Sequence, residues 1–347
     1  MDRTAPQPRH RVRRRRALLT ASAAALLTAA ATTGAAAGTP TDAPRRAAPK
    51  AAPPMAAAPY EYLGWGDPQP PTEVMEATGT KWFTLAFILS DGGCNPAWDG
   101  SRPLAGGSDQ AAIDAIRAKG GDVVISAGGW SGAKLGEKCD SADALAGAYQ
   151  KVIDAYRLKA LDIDIEDTEM SNATVRQRVV DALKKVKAAN PGLVTYVTMG
   201  TTPEGPNEDG KDLIRRGAEA GLDNDGWVIM PFDFGGHSGT MGEATVSALD
   251  GLAAEVKSAY GYSEADAYRK TGVSSMNGHT DQADENVTLD DFRTILDHAR
   301  THHLARFAFW AVNRDRPCGS GGNAGDSCSG VDQEPYAYTK IVAQYEG

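Results

Sequence analysis

A closed (β/α)8 barrel in a single domain is the fold the sequence predicts, and three observations carry the prediction. Eight short apolar runs follow one another along residues 60–311, amphipathic stretches of helical spacing separate them, and no G-x-G-x-x-G opens a helix behind any run. Eight alternations over ~250 residues or more suit a closed barrel better than an open doubly wound sheet. Without the glycine pattern, a dinucleotide-binding reading has no support.

Before the first run lie two segments of different character. Residues 1–37 hold seven arginines and one acid, then the apolar stretch Ala17–Ala31 and small residues ending Ala35-Ala36-Ala37. A basic start, a short apolar run and an A-x-A site predict a secretory signal peptide, by the Sec or the twin-Arg route. The apolar run falls short of the ~20 residues a spanning helix needs. Residues 38–59, almost wholly Ala, Pro, Thr and small polar residues, predict a disordered tail or linker, because they cannot bury enough apolar surface to offset chain entropy. The first 59 residues hold ten of the 36 Lys and Arg but only two of the 45 Asp and Glu. Residues 60–347 therefore carry 26 against 43, a net charge of −17. Such acidity argues against nucleic-acid and anionic-membrane partners, which need a basic face.

The expected strands are Tyr60–Gly66, Trp82–Leu89, Asp122–Ala127, Leu161–Glu166, Val194–Met199, Trp227–Asp233, Thr271–Met276 and Arg306–Ala311. Expected helices include Asp109–Lys119, Ala142–Tyr156, Val175–Ala189, Thr245–Ala259 and Leu289–His302. Four cysteines in an exported chain allow three pairings. Cys318 and Cys328 close a Gly/Ser-rich loop and form the expected pair, leaving Cys94 with Cys139. Neither these cysteines nor His237, His279, His302 and His303 show metal-ligand spacing, so no metal or cofactor is expected.

Function in such a barrel collects at the C-terminal ends of the strands. Trp65, Trp98, Trp130 and Trp310 fall at those ends or just beyond, where flat apolar faces with a polar N–H suit sugar rings. The chemistry sits in the fourth run, Leu161-Asp162-Ile163-Asp164-Ile165-Glu166. Period-two alternation puts the three acids on one face and the three aliphatic residues on the other. With the aliphatic face on the helices, the acids point into the barrel. Burial and like charge should raise at least one of their pKa values, and a protonated Glu at a barrel mouth is a general acid. Stacked acids could instead hold calcium, but that needs 6–8 oxygen ligands and a flexible loop. Asp167 and Glu169, just beyond, are expected in a solvated loop. Asp284, Glu285, Asp290 and Asp291 are expected to cap and flank the helix near Leu289.

This fourth run resembles the D-x-x-D-x-D-x-E signature of glycoside hydrolase family 18, the chitinases and their relatives. Ser126-Ala127-Gly128-Gly129 resembles that family's S-x-G-G motif, Met230-Pro231-Phe232-Asp233 its M-x-Y-D motif, and Trp310 the tryptophan beneath the sugar being cleaved. All four fall in the family's order over residues 60–316. The resemblance implies a substrate-assisted retaining hydrolysis of β-1,4-linked N-acetylglucosamine polymers, an exception to the two-carboxylate scheme. Glu166 would be the acid, Asp164 would orient the acetamido group, and Asp162, deeper, would share a proton or hydrogen bond with Asp164. Asp233 would bond near the acetamido group, Met230 and Phe232 would line that end, and Trp310 would stack under the ring. Ser126 would support the carboxylates from the neighbouring strand.

Two positions depart from the pattern. Lys159 and Ala160 stand where Asp and Gly are usual, so a cation either enters the deep end of the acid column or turns to solvent. Phe232 replaces a Tyr whose hydroxyl would hold the substrate's carbonyl, leaving Tyr196 or Asn277 as candidate donors. The expectation is a secreted, monomeric chitinase-type enzyme. An endo-β-N-acetylglucosaminidase and a chitin-binding lectin on the same barrel are the alternatives, and the presence of Glu166 weighs against the lectin.

Overall fold

A computed structural model describes residues 54–319 and 325–347. The predicted signal peptide and most of the predicted linker lie outside them. Eight parallel strands form the barrel: β1 (Tyr60–Tyr62), β2 (Trp82–Ser90), β3 (Asp122–Gly128), β4 (Ala160–Asp164), β5 (Val194–Gly200), β6 (Gly226–Met230), β7 (Thr271–Met276) and β8 (Arg306–Trp310). They pair in chain order without a crossover. At the seam, β1 lies against β8 and is only three residues long. The Asn313 side chain, just past β8, takes both backbone groups of Tyr62, accepting from its N–H (2.9 Å) and donating to its C=O (2.8 Å). Those groups would otherwise be buried without partners.

Eight helices cover the strands: α1 (Pro71–Thr78), α2 (Ser108–Ala118), α3 (Ala142–Tyr156), α4 (Ala173–Ala189), α5 (Glu208–Ala220), α6 (Met241–Tyr260), α7 (Leu289–His302) and α8 (Ala337–Val342). Their ends follow local chemistry. Ser141 accepts from Ala144 N at the start of α3, and Thr240–Glu243 and Thr288–Asp291 form capping boxes on α6 and α7. In α7 the buried residues Phe292, Ile295, Leu296 and Ala299 recur at helical spacing and face the barrel. Among the described residues no helix is long and apolar enough to cross a membrane.

The linker expectation overreaches at its end. Residues 54–57 form a 3-10 turn, and Met55 and Ala58 pack under the barrel with Val124, Ala160, Tyr196, Val228 and Ala305. Thr84 Oγ1 donates to Ala58 O (2.8 Å), so this stretch is the floor of the domain. Four strands also end earlier than expected, β1 at Tyr62, β4 at Asp164, β6 at Met230 and, by one residue, β8 at Trp310, because the chain turns just beyond them. The residues past these ends line the mouth.

Both expected disulfides form, Cys94–Cys139 and Cys318–Cys328.

Candidate active site

Strand β4 delivers its acids as the alternation requires. Leu161, Ile163 and Ile165 pack with the helices, while Asp162 (0% exposed) and Asp164 (3%) lie inside the barrel. Glu166 stays extended (φ −136°, ψ 173°) as it caps a short helical turn, Asp167–Ser171, so the alternation carries past the last strand residue to the mouth.

Four donors from four strands converge on Asp162. Tyr60 Oη (2.7 Å) and Ser126 Oγ (2.6 Å) donate to Oδ2, and Thr198 Oγ1 (2.7 Å) and Arg306 Nη1 (3.3 Å) to Oδ1. One expectation is corrected: Asp162 accepts its hydrogen bonds from these groups and shares none with Asp164. Ser126, fully buried, donates to the carboxylate from the neighbouring strand. Asp164 Oδ1 is buried and has no hydrogen-bond partner. Burial, then the charges of Glu166 and Asp162, hold the Asp164 carboxyl well above the usual range, against Lys134 and Arg306. Burial pushes Glu166 up to about 7; Lys134 opposes this, and Asp233 and Asp167 add to it.

The cation at the deep end is not Lys159. Its side chain is 66% exposed and pairs with Asp122 Oδ2 (2.9 Å) outside the strand's inner face. Arg306 of β8, fully buried, fills the deep position. Its guanidinium lies over the rings of Tyr196 (4.6 Å) and Tyr60 (5.3 Å), and Nη2 donates to Thr84 Oγ1 (2.6 Å). A second cation, Lys134, is 1% exposed on the loop after β3. It donates to the carbonyls of Gly129 and Ser131 (2.7 Å to the latter) beside the carboxylates.

The glycines of Ser126-Ala127-Gly128-Gly129 answer to close approach. At Gly128 (φ 120°) a Cβ would lie 2.0 Å from Asp164 O, and at Gly129 (φ 89°) it would meet the Phe87 ring at 2.8 Å. Side chains there would push β3 off the acid column. Phe87 in turn stacks on Trp310 (5.6 Å, 12°), and Tyr60 and Tyr62 each lie 6.1 Å from Trp310. Trp65 (46% exposed) and Trp130 (68%) stand open at the mouth. Trp98 does not: it folds back on β2 opposite Ile88, is fully buried, and donates Nε1–H to Tyr156 Oη (2.8 Å). It is a core residue and, against expectation, no part of the rim.

Beyond β6, Met230 is buried and Phe232 half-buried against the core. Asp233 has a left-handed backbone (φ 54°), and burial raises its carboxyl. Of the two candidate donors for the missing Tyr hydroxyl, Tyr196 is removed from the mouth, whereas the buried Asn277 Nδ2 has no partner among the described residues. Tyr196 lies on the floor beneath Arg306, and Asn277, fully buried, accepts from Ala311 N (3.1 Å). Glu169 is not in a solvated loop either; it is buried against Gly136, and burial raises it to about 8.

No protein-family model matches the chain. It is similar to the probable bifunctional chitinase/lysozyme of Escherichia coli (strain K12), 28% identical over 76% of this chain and 31% of that protein. It is also similar to endochitinase 11 of Metarhizium anisopliae, 28% identical over 68% of this chain and 48% of that one. The chain thus spans less than half the length of either. Among solved structures, active domain 2 of the thermostable chitinase from Pyrococcus furiosus, in catalytic-site mutants complexed with chito-oligosaccharides, matches with a TM-score of 0.75. It is 29% identical and covers 86% of this chain and 97% of that one. The chain is chitinase-like: at 28–29% identity it resembles chitinases in sequence and shares their barrel. Within this chitinase-like chain, sequence reasoning missed Arg306, Lys134 and Phe87, and with them the Asp162 donors Tyr60 and Thr198. Arg306 had a signal: period two in β8 sets it on the face of Ala308 and Trp310. Lys134 and Phe87 had none, because a lone Lys in a loop and a Phe in an apolar strand are unremarkable as sequence.

Proposed function

We propose that the chain hydrolyses β-1,4-linked N-acetylglucosamine polymers with retention of configuration, the sugar's own acetamido carbonyl acting as nucleophile. The observation that carries this reading is the column Asp162–Asp164–Glu166 inside the barrel, its outermost carboxyl raised to about 7 by burial, with Trp310 stacked on Phe87 at the end of β8. Glu166 gives its proton to the departing glycosidic oxygen while the acetamido oxygen attacks C1, so the C1–O bond breaks as the ring of an oxazolinium ion closes. Asp164, whose Oδ1 has no partner within the protein, accepts the acetamido N–H and balances the positive charge on nitrogen. Glu166, now a carboxylate, takes a proton from water as the water oxygen bonds to C1 and the oxazolinium opens. Trp310 lies beneath the pyranose ring, Asp233 meets the acetamido end, and the open indoles of Trp65 and Trp130 face flanking sugars.

The substrate class follows from the nucleophile. Fully N-acetylated oligomers are expected to be cleaved, and fully deacetylated ones of equal length at least ~10³-fold more slowly, because removing the acetyl group removes a nucleophile held in place. Chain lengths of the products are the readout. Equal cleavage of both would end this reading, and binding without cleavage of either would favour the lectin. The two disulfides and the Arg-rich, apolar start support export to an oxidising compartment, where we propose that the enzyme acts as a monomer.

A further inference from the structure

Between β7 and α7 a short hairpin, Gly278–His279 paired with Asn286–Val287, rises beside the mouth. Glu285, next to its returning strand, is fully buried and has no cation within salt-bridge distance among the described residues. Its carboxylate accepts three hydrogen bonds, two of them from the backbone of another loop: Asp233 N to Oε2 (2.7 Å) and Gly235 N to Oε1 (3.2 Å). Thr280 Oγ1 gives the third (3.1 Å). The hairpin holds Asp233 from its other side as well, since Asp281 N donates to Asp233 Oδ1 (3.0 Å). Arg314 anchors the hairpin from below, donating to the carbonyls of Asn277 (3.1 Å) and His279, while His279 N bonds Ser329 O (2.9 Å) next to the Cys318–Cys328 loop.

A buried carboxylate without a cation is costly, and an apolar residue would pack more cheaply. What Glu285 achieves is to fix Asp233 in a left-handed conformation that a non-glycine residue resists. We propose that Glu285 is a positioning residue: by accepting from Asp233 N and Gly235 N it clamps the loop after β6 and sets where the Asp233 carboxylate stands relative to Glu166. The inference rests on the function proposed above. The charged groups acting on Glu166 are Lys134 from the loop after β3, Asp164 of β4, Asp167 from its own turn and Asp233 from the loop after β6. Those facing Asp233 are Asp281 and Glu285 of the hairpin, Arg314 just past β8 and Glu166 itself. Releasing Asp233 removes a negative neighbour, so Glu166 should lose its proton at lower pH.

The test compares wild type, Glu285→Gln, Asp233→Asn and the double variant, by the pH profile of kcat/KM and by carboxyl NMR titration of Glu166, which needs no turnover. Glu285→Gln is expected to lower kcat about 10- to 100-fold with a smaller change in KM, the size of effect a misplaced group has. It should also move the alkaline limb and the Glu166 titration toward acid, as Asp233→Asn does, and the double variant should add nothing further. An unchanged Glu166 titration in Glu285→Gln, or additive shifts in the double variant, overturns the proposal. If Glu285→Gln does not fold, Thr280→Val loosens the same carboxylate. A smaller acidward shift supports the proposal, and no shift overturns it. A wild type that cleaves no oligomer would sink the proposed function instead, and the NMR arm would still decide the role of Glu285.

Discussion

Glu166→Gln is expected to slow cleavage of N-acetylglucosamine oligomers by at least ~10²-fold while leaving their binding intact. Gln keeps the shape and the hydrogen-bonding reach of the side chain but has no proton to give the leaving oxygen and cannot later take one from water. Both steps therefore suffer. The neighbours that prepare the acid stay in place, since Lys134 bonds the carbonyls of Gly129 and Ser131 and Asp164 is held by β4. The loss should consequently appear in kcat and kcat/KM equally, the mark of an interaction made in the transition state. Calorimetry on the same oligomer gives the binding arm. A variant that cleaves like wild type would show that Glu166 is not the acid. In the wild type the protonated form is required and burial holds the carboxyl at about 7, so activity should fall as pH rises through that value.

Arg306→Met should cost about 3–5 kcal/mol of stability, because it strands the Asp162 carboxylate inside the barrel. Both partners are fully buried and the guanidinium bridges Asp162 of β4 and Thr84 of β2 between two tyrosine rings. Tyr60, Ser126 and Thr198 still donate to Asp162 in the variant, but none carries charge. Met fills much of the volume, so the loss measures the charge more than a cavity. Denaturant unfolding at neutral pH reads the effect. Adding Asp162→Asn should recover a large part of it, since an amide needs no counter-charge. A loss under ~1 kcal/mol in Arg306→Met would show that the ion pair is dispensable.

The barrel was legible because its strands and helices obey local rules. Helices α3 and α7 run as their spacing and caps predict, and β7 matches its apolar run from Thr271 to Met276. The acid column was legible for the same reason, since alternation in Leu161–Glu166 needs no knowledge of neighbouring strands. What escaped depends on distant contacts. Trp98 reads as a rim residue until the chain folds back on β2 and buries it against Tyr156. Arg306 reads as an ordinary charge at a strand start, and its role exists only once β8 closes on β4 across the barrel. Glu285 was grouped with Asp284, Asp290 and Asp291 as a helix flank. Of these Asp291 does cap α7, whereas Glu285 turns to another loop altogether. Composition also blurred the domain edge: 54–59 reads like the Ala/Pro stretch before it, yet Met55 and Ala58 close the barrel floor.

The most direct test of the account is the anomeric form of the first product. Proton NMR of an N-acetylglucosamine oligomer, recorded before mutarotation, reports the configuration at the newly freed reducing end. Attack by the acetamido oxygen followed by water inverts C1 twice, so the account predicts the β anomer. An α anomer would mean a single displacement by water, and would contradict the assignment of Asp164 and Glu166 to a substrate-assisted pair.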